Sequence, residues 1–156
     1  MHTSHNLILK FYDAFSKLDV DTMISCYHPE VLFIDPAFGR LNHDEVVNMW
    51  KMLRERSNGN LSIEFSSIKA TKKSGSAKWI ATYIFSQTKR EVRNVVKAEF
   101  KFKEGLIVKH TDSFNFWLWS GMALGWKGYL FGWTPIFKNK VRKMALASLN
   151  KYMSDH

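Results

Sequence analysis

Three side chains in this sequence have the type and setting for acid–base work: Asp35, His110 and Asp112. Asp35 closes residues 31–35, where Val31, Phe33 and Asp35 alternate with Leu32 and Ile34. Period two marks a strand, and Pro36, which has no N–H for a ladder bond, ends it. A carboxyl group at a strand mouth becomes more basic when apolar neighbours strip its water. Asp before Pro is equally ordinary turn chemistry, so a capping carboxylate fits the same residues. His110 and Asp112 stand two apart in a segment of strand character and share a face with Phe114. An imidazole titrates near neutral pH and can relay a proton or hold a substrate. A polar pair at a sheet rim satisfies that spacing too, because alternation sets the face and not the depth.

Other reactive types have weaker patterns. His28 joins His110, Asp35 and Asp112 in a nominal metal set without diagnostic local spacing, and a structural histidine is the simpler reading. No metal or cofactor is called for. Cys26 is the only cysteine and reads as a buried apolar thiol. With no intramolecular disulfide available, a reducing, cytoplasmic setting is expected. The first fifteen residues have only a short apolar run and no small-residue cleavage pattern, so no signal peptide is expected. No uninterrupted apolar run reaches transmembrane length.

The elements that must position these groups follow from periodicity. Leu7, Ile8, Phe11, Ala14, Phe15 and Leu18 form a helical stripe over residues 5–18, with Tyr12 beside it. A short helix is expected over 20–27, capped by Asp19 or Asp21 and stopped before Pro29. A third helix is expected over 41–53, with Asn42 and Glu45 at capping-box spacing and Val46, Val47, Trp50 and Leu53 inward. Residues 57–60 break the chain, and Leu61, Ile63 and Phe65 open a strand. After a turn at 72–76, Trp79, Ala81, Tyr83 and Phe85 face one way and Ile80, Thr82 and Ile84 the other. Two semi-apolar faces suggest a central strand that packs a partner, hence a homodimer. A bend at 87–91 leads to a strand in which Val96, Ala98, Phe100 and Phe102 alternate with charged residues. Glu104 and Gly105 turn into a last strand over 106–116. Four glycines between 121 and 132 argue for short helical turns with close backbone approach, and Thr134–Pro135 starts a final helix reaching about Tyr152. Its Val141, Ala145 and Leu149 share a face, with Met144 alongside. The order is that of an α+β fold in a single domain over 1–156, with 117–156 as an aromatic, basic extension packed on it.

Six Trp, five Tyr and twelve Phe exceed what a minimal core needs, so some should line a cavity. Tyr12, Trp50, Trp79, Tyr83 and Phe100 are the candidate ligand contacts, although Tyr12 can equally cover the core edge. The net charge of +9 suits anionic partners, yet no nucleic-acid motif gives it specificity, and no specific nucleic acid is expected. Lys138, Lys140, Arg142 and Lys143, with the aromatic segment before them, suit peripheral contact with an anionic membrane or an acidic protein. A helical lid over the domain is the preferred reading of that tail.

The helix order, the FYDAF and CYHPEVLFIDPAFG segments and the closing strands resemble the SnoaL-like and ketosteroid-isomerase-like branch of the nuclear-transport-factor-2-like superfamily. The resemblance covers roughly residues 7–116. It implies a curved mixed or antiparallel sheet wrapped around N-terminal helices into a cone, commonly dimeric, with an apolar cavity for a hydrophobic small molecule. Isomerase, cyclase or hydrolase chemistry is implied without a cofactor, on a cyclic or polyketide-like substrate; non-catalytic ligand or protein binding is the alternative. Asp35 followed by Pro36 matches the isomerase base. The isomerase oxyanion donors fall on Phe11 and Ala98, which cannot donate, so steroid isomerisation is disfavoured. The SnoaL-like cyclases place a base-like Asp or a His–Asp arrangement on the last strand. That makes Asp112 the expected proton acceptor, His110 its assistant and Asp35 the alternative base.

Overall fold

The structure is a computed structural model that describes residues 3–156. Helix α1 (Thr3–Ser16) buries Ile8, Phe11, Tyr12, Ala14 and Phe15, the face expected from its three- and four-residue spacing. Helix α2 (Val20–Ser25) is capped by Asp19, which accepts from the Thr22 backbone N–H at 3.2 Å. Strand β1 (Tyr27–Asp35) begins four residues earlier than expected, so Tyr27 is a strand residue and not a helix end. Pro29 is tolerated because β1 pairs with its parallel neighbour at Tyr27 and again only from Leu32, and the irregularity between them needs no N–H from the proline.

A three-residue strand, β2 (Gly39–Leu41), returns antiparallel along the end of β1. Sequence periodicity missed it because three residues carry no measurable alternation. Helix α3 (His43–Ser57) then starts on the expected capping box. The Glu45 N–H donates to Asn42 Oδ1 at 3.0 Å, and the Asn42 N–H donates to Glu45 Oε1 at 2.9 Å. Strands β3 (Ser62–Ala70), β4 (Ser74–Phe85), β5 (Arg90–Lys103) and β6 (Leu106–Ser113) complete one sheet in the order β2-β1-β6-β5-β4-β3. Every pairing is antiparallel except β1 with β6. The sheet curves around α1 and α3, and one hydrophobic cluster fills the space between them.

Strand β6 stops three residues short of the expected end at 116. The reason is local: Asn115 Oδ1 accepts from the Leu118 N–H at 3.1 Å and starts helix α4 (Phe116–Leu124). Helix α5 (Trp126–Phe131) folds back on α4. A Cβ at Gly128 would collide with the Ser120 carbonyl, so only glycine permits this approach. Helix α6 (Pro135–Asp155) starts on Thr134, whose Oγ1 accepts from the Phe137 N–H, and packs along α3. Its Leu149 and Tyr152 enter the main core, while Val141 and Ala145 face elsewhere.

Candidate functional site

The interior of the cone holds a cavity of about 730 Å³ between the concave face of the sheet, α3 and α6. Phe15, Phe33, Trp50, Trp79, Val141 and Met144 give it a mainly apolar wall. Among the polar groups on that wall are the carboxyl groups of Asp35 and Asp112 and the amide of Asn94. A few converging polar groups in an apolar hollow are what a small-molecule site requires.

Asp112 reaches the cavity from β6, directly across the ladder from Ala98 of β5. Its Oδ1 accepts from His110 Nε2 at 2.9 Å and from the Trp79 indole N–H at 3.3 Å. Both bonds fall on one oxygen, which leaves Oδ2 for a substrate. His110 lies behind it, fully buried, boxed by Phe100, Phe33 and Phe11 with ring centroids 4.6, 5.0 and 5.5 Å away.

The other imidazole nitrogen is tied as well. Tyr27 Oη lies 2.8 Å from His110 Nδ1 and accepts from the Trp50 indole N–H at 3.1 Å. Because the indole can only donate, Tyr27 is free to give its own proton to Nδ1. One tautomer then satisfies every bond: Nδ1 accepts, and Nε2–H donates to Asp112. Burial pushes the Tyr27 phenol well above its ordinary pKa, with a smaller upward push from Asp112, so it stays a donor. Trp50, Tyr27, His110 and Asp112 thus form a directed chain ending at a carboxylate on the cavity wall.

Asp35 enters the same cavity from the end of β1. Its residue surface is only partly covered, but its carboxyl group sits in apolar surroundings. Desolvation raises its pKa to about 7, and the charge of Asp112 adds to the rise. Backbone donors oppose it: the Phe38 N–H reaches Asp35 Oδ1 at 2.6 Å. Arg142 of α6 opposes it too, its guanidinium lying against the turn with Nη2 3.4 Å from the Pro36 carbonyl. The site therefore holds one carboxylate fixed by two donors and a second that exchanges its proton near neutrality.

Of the expected contacts, Trp50, Trp79 and Tyr83 line the cavity with Asp35 and Asp112. Tyr83 is held there by the Trp119 indole, which donates to its hydroxyl at 2.8 Å. Tyr12 and Phe100 lie off that wall. Tyr12 is fully buried, stacked on Phe65 at 5.8 Å, and Phe100 covers the back of His110. The inward row of β5 explains this: Phe100 pairs with His110, beyond the cavity floor. Asn94 and Tyr27 went unnoticed in the sequence. Asn94 is the one polar member of the buried row Val92, Asn94, Val96, Ala98, Phe100, a break that becomes visible once β5 is extended back to Arg90. His28 accepts from the Glu30 N–H at 3.0 Å and lies outside the cavity. Among the described residues no cluster of His, Cys, Asp and Glu suits a metal ion.

The family description "SnoaL-like domain" matches residues 8–110, well over half of the sequence. The chain belongs to the SnoaL-like family. Solved structures share this SnoaL-like fold, including a candidate polyketide cyclase from Pseudomonas putida KT2440, at 15% identity and TM-score 0.65. That match covers 79% of this chain and 99% of the other. An LEH-like epoxide hydrolase from M. tuberculosis aligns at 16% identity and TM-score 0.62, covering 83% and 91%. TerC, co-crystallised with polyporic acid, aligns at 14% identity and TM-score 0.61, covering 73% and 92%. Such identities speak for the fold alone. The comparison with curated proteins gave no match. The SnoaL-like match ends at His110, so Asp112 and helices α4, α5 and α6 lie beyond it.

Proposed function

We propose that the cavity binds a hydrophobic cyclic or polyketide-like molecule and moves a proton on it, in the manner of a cofactor-independent isomerase, cyclase or hydrolase. One observation carries this reading: Asp112 and Asp35, two carboxyl groups with different surroundings, face one apolar cavity of about 730 Å³. Asp112 Oδ2 accepts a proton from an activated carbon. Asp35, with its pKa near 7, gives the compensating proton to the substrate oxygen. The chain from Trp50 through Tyr27 and His110 holds the Asp112 carboxylate in position and stabilises its charge. Asn94 offers an amide N–H to an oxygen that gains charge. It stands in for the oxyanion donors lost at Phe11 and Ala98, both buried without a polar side-chain atom. The likeness to TerC, co-crystallised with polyporic acid, makes polyporic acid a first probe. The buried free thiol of Cys26 suits a reducing, cytoplasmic setting.

The test is a thermal-shift screen of cyclic ketones, polyketide-like compounds and hydrophobic acids, followed by deuterium exchange at the activated carbon of any binder. Exchange that requires Asp112 supports the enzyme. Tight binding with no exchange supports the ligand-binding alternative.

A further inference from the structure

Between Asp112 and Asp155 there is no acidic residue, while Lys127, Lys138, Lys140, Arg142, Lys143 and Lys151 are all basic. The front of this segment is strongly apolar: residues 114–137 contain a single charge, Lys127. Many of its large side chains are not spent on the core. Ile136 is 84% exposed, Trp133 72% and Trp126 68%, and Leu118, Leu130 and Phe131 are exposed beside them. Ordinary surfaces scatter such residues singly, and a grouped set marks a contact face.

Helices α4 and α6 turn their other sides to the cavity. Trp119 and Leu124 of α4, and Phe137, Val141 and Ala145 of α6, line it. On α6, Ile136, Lys140 and Met144 follow at four-residue spacing and so form one stripe. Lys140 and Met144 are exposed and belong to the cavity wall, so the stripe joins the apolar face to the cavity mouth.

We propose that the exposed face of α4, α5 and the start of α6 docks on an anionic membrane surface and sets the cavity mouth at the lipid boundary. The chemistry of the face selects this partner. Aromatic rings with lysines nearby in the chain suit the headgroup layer, where the apolar body enters and the ammonium groups meet lipid phosphates. Lys127 already lies over the Trp126 ring at 5.7 Å. The indole N–H groups of Trp117 and Trp133 donate to the carbonyls of Tyr129 and Leu130, so those rings can enter apolar surroundings without an unpaired donor. Among the described residues no helix is long and apolar enough to cross a membrane, and contact at the interface needs none. The close approach of α5 to α4 at Gly128 places the exposed side chains of the two helices next to one another. The ligand then reaches the cavity from the bilayer and belongs to the class of membrane-partitioned lipophiles. That corollary rests on the proposed function of the cavity; the docking itself does not.

Flotation of the full chain with phosphatidylcholine vesicles, with and without phosphatidylglycerol, tests the proposal. The protein is expected to float with the anionic vesicles and to be released as salt rises. The variant Trp126→Ser, Trp133→Ser, Ile136→Ser should bind at least about tenfold more weakly, since the three most exposed apolar side chains of the face are gone. Lys127→Gln with Lys143→Gln, both at exposed positions, should weaken anionic binding alone. Circular dichroism controls for folding. No flotation on anionic vesicles, or flotation that both variants keep undiminished, overturns the proposal. A dimer split by the triple substitution, without vesicle binding, also overturns it and gives the face to a second copy. Cavity binding is measured without vesicles, so failure of that reading and failure of docking are told apart.

Discussion

Replacing Asp112 by Asn keeps an oxygen for the bonds from His110 and Trp79 but removes the proton acceptor. Once a substrate is found, single-turnover kinetics of D112N should show the chemical step slowed by at least about tenfold. H110Q should slow it less. An unchanged step in D112N beside near-complete loss in D35N would transfer the base role to Asp35. Asp35 also makes a thermodynamic prediction. Its folded pKa, about 7, lies above the ordinary carboxylate value, so the native state favours the protonated form. The stability this contributes is full below the unfolded pKa and is lost as pH rises through about 7. D35N should therefore unfold at higher urea than the native protein at pH 8, by roughly 1–3 kcal/mol, and at nearly the same urea at pH 4. The reverse order would place the carboxylate in a stabilising environment. Asp35 and Asp112 could be found in the sequence because alternation names a face. Tyr27 could not, since its role depends on β1 and β6 running parallel, a pairing no local pattern encodes.

At the scale of elements, α6 is both wall and buttress. It gives the cavity Val141, Met144 and Ala145 and gives the core Leu149 and Tyr152. Ending the chain after Thr134 should cost several kcal/mol, at about 1.5–3 kcal/mol for each large side chain uncovered. Chemical denaturation checks this, and a shortened chain that remains equally stable and binds the same ligands would remove the helix from the site. The stripe of Val141, Ala145 and Leu149 was readable from four-residue spacing, as was the capping box of α3. What faced each part of that stripe was not, because periodicity does not say whether an apolar face meets a core or a cavity. The ends of β1 and β6 were also misjudged. A proline stands at an irregular stretch of one, and an asparagine cap cuts the other short.

For the whole molecule, the outer side of the sheet bears on assembly. Val95 and Ile84 are exposed there on β5 and β4, next to the partly covered Ile80 and Thr82. If this face joins two copies, light scattering should give a dimer mass at micromolar concentration, and V95E should halve it. A native protein that stays monomeric would leave the face without that use. The α+β order was legible because helical spacing gives way to alternating strands along the chain; the cone was implied by the family resemblance. An apolar cavity was expected from the aromatic content and the resemblance; its walls from α6 were not, because they form only where α3, α6 and the curved sheet leave space between them.

The central claim is that this space receives a hydrophobic ligand between Asp35 and Asp112. Calorimetric titration of the best binder into the native protein and into Ala145→Trp, whose indole would fill the mouth from α6, tests it most directly. Saturable binding to the native protein should weaken by about a hundredfold or more in the filled variant, as expected when a bulky ring takes the ligand's place. Equal affinity for both proteins, with the variant folded, would put the ligand somewhere other than this cavity.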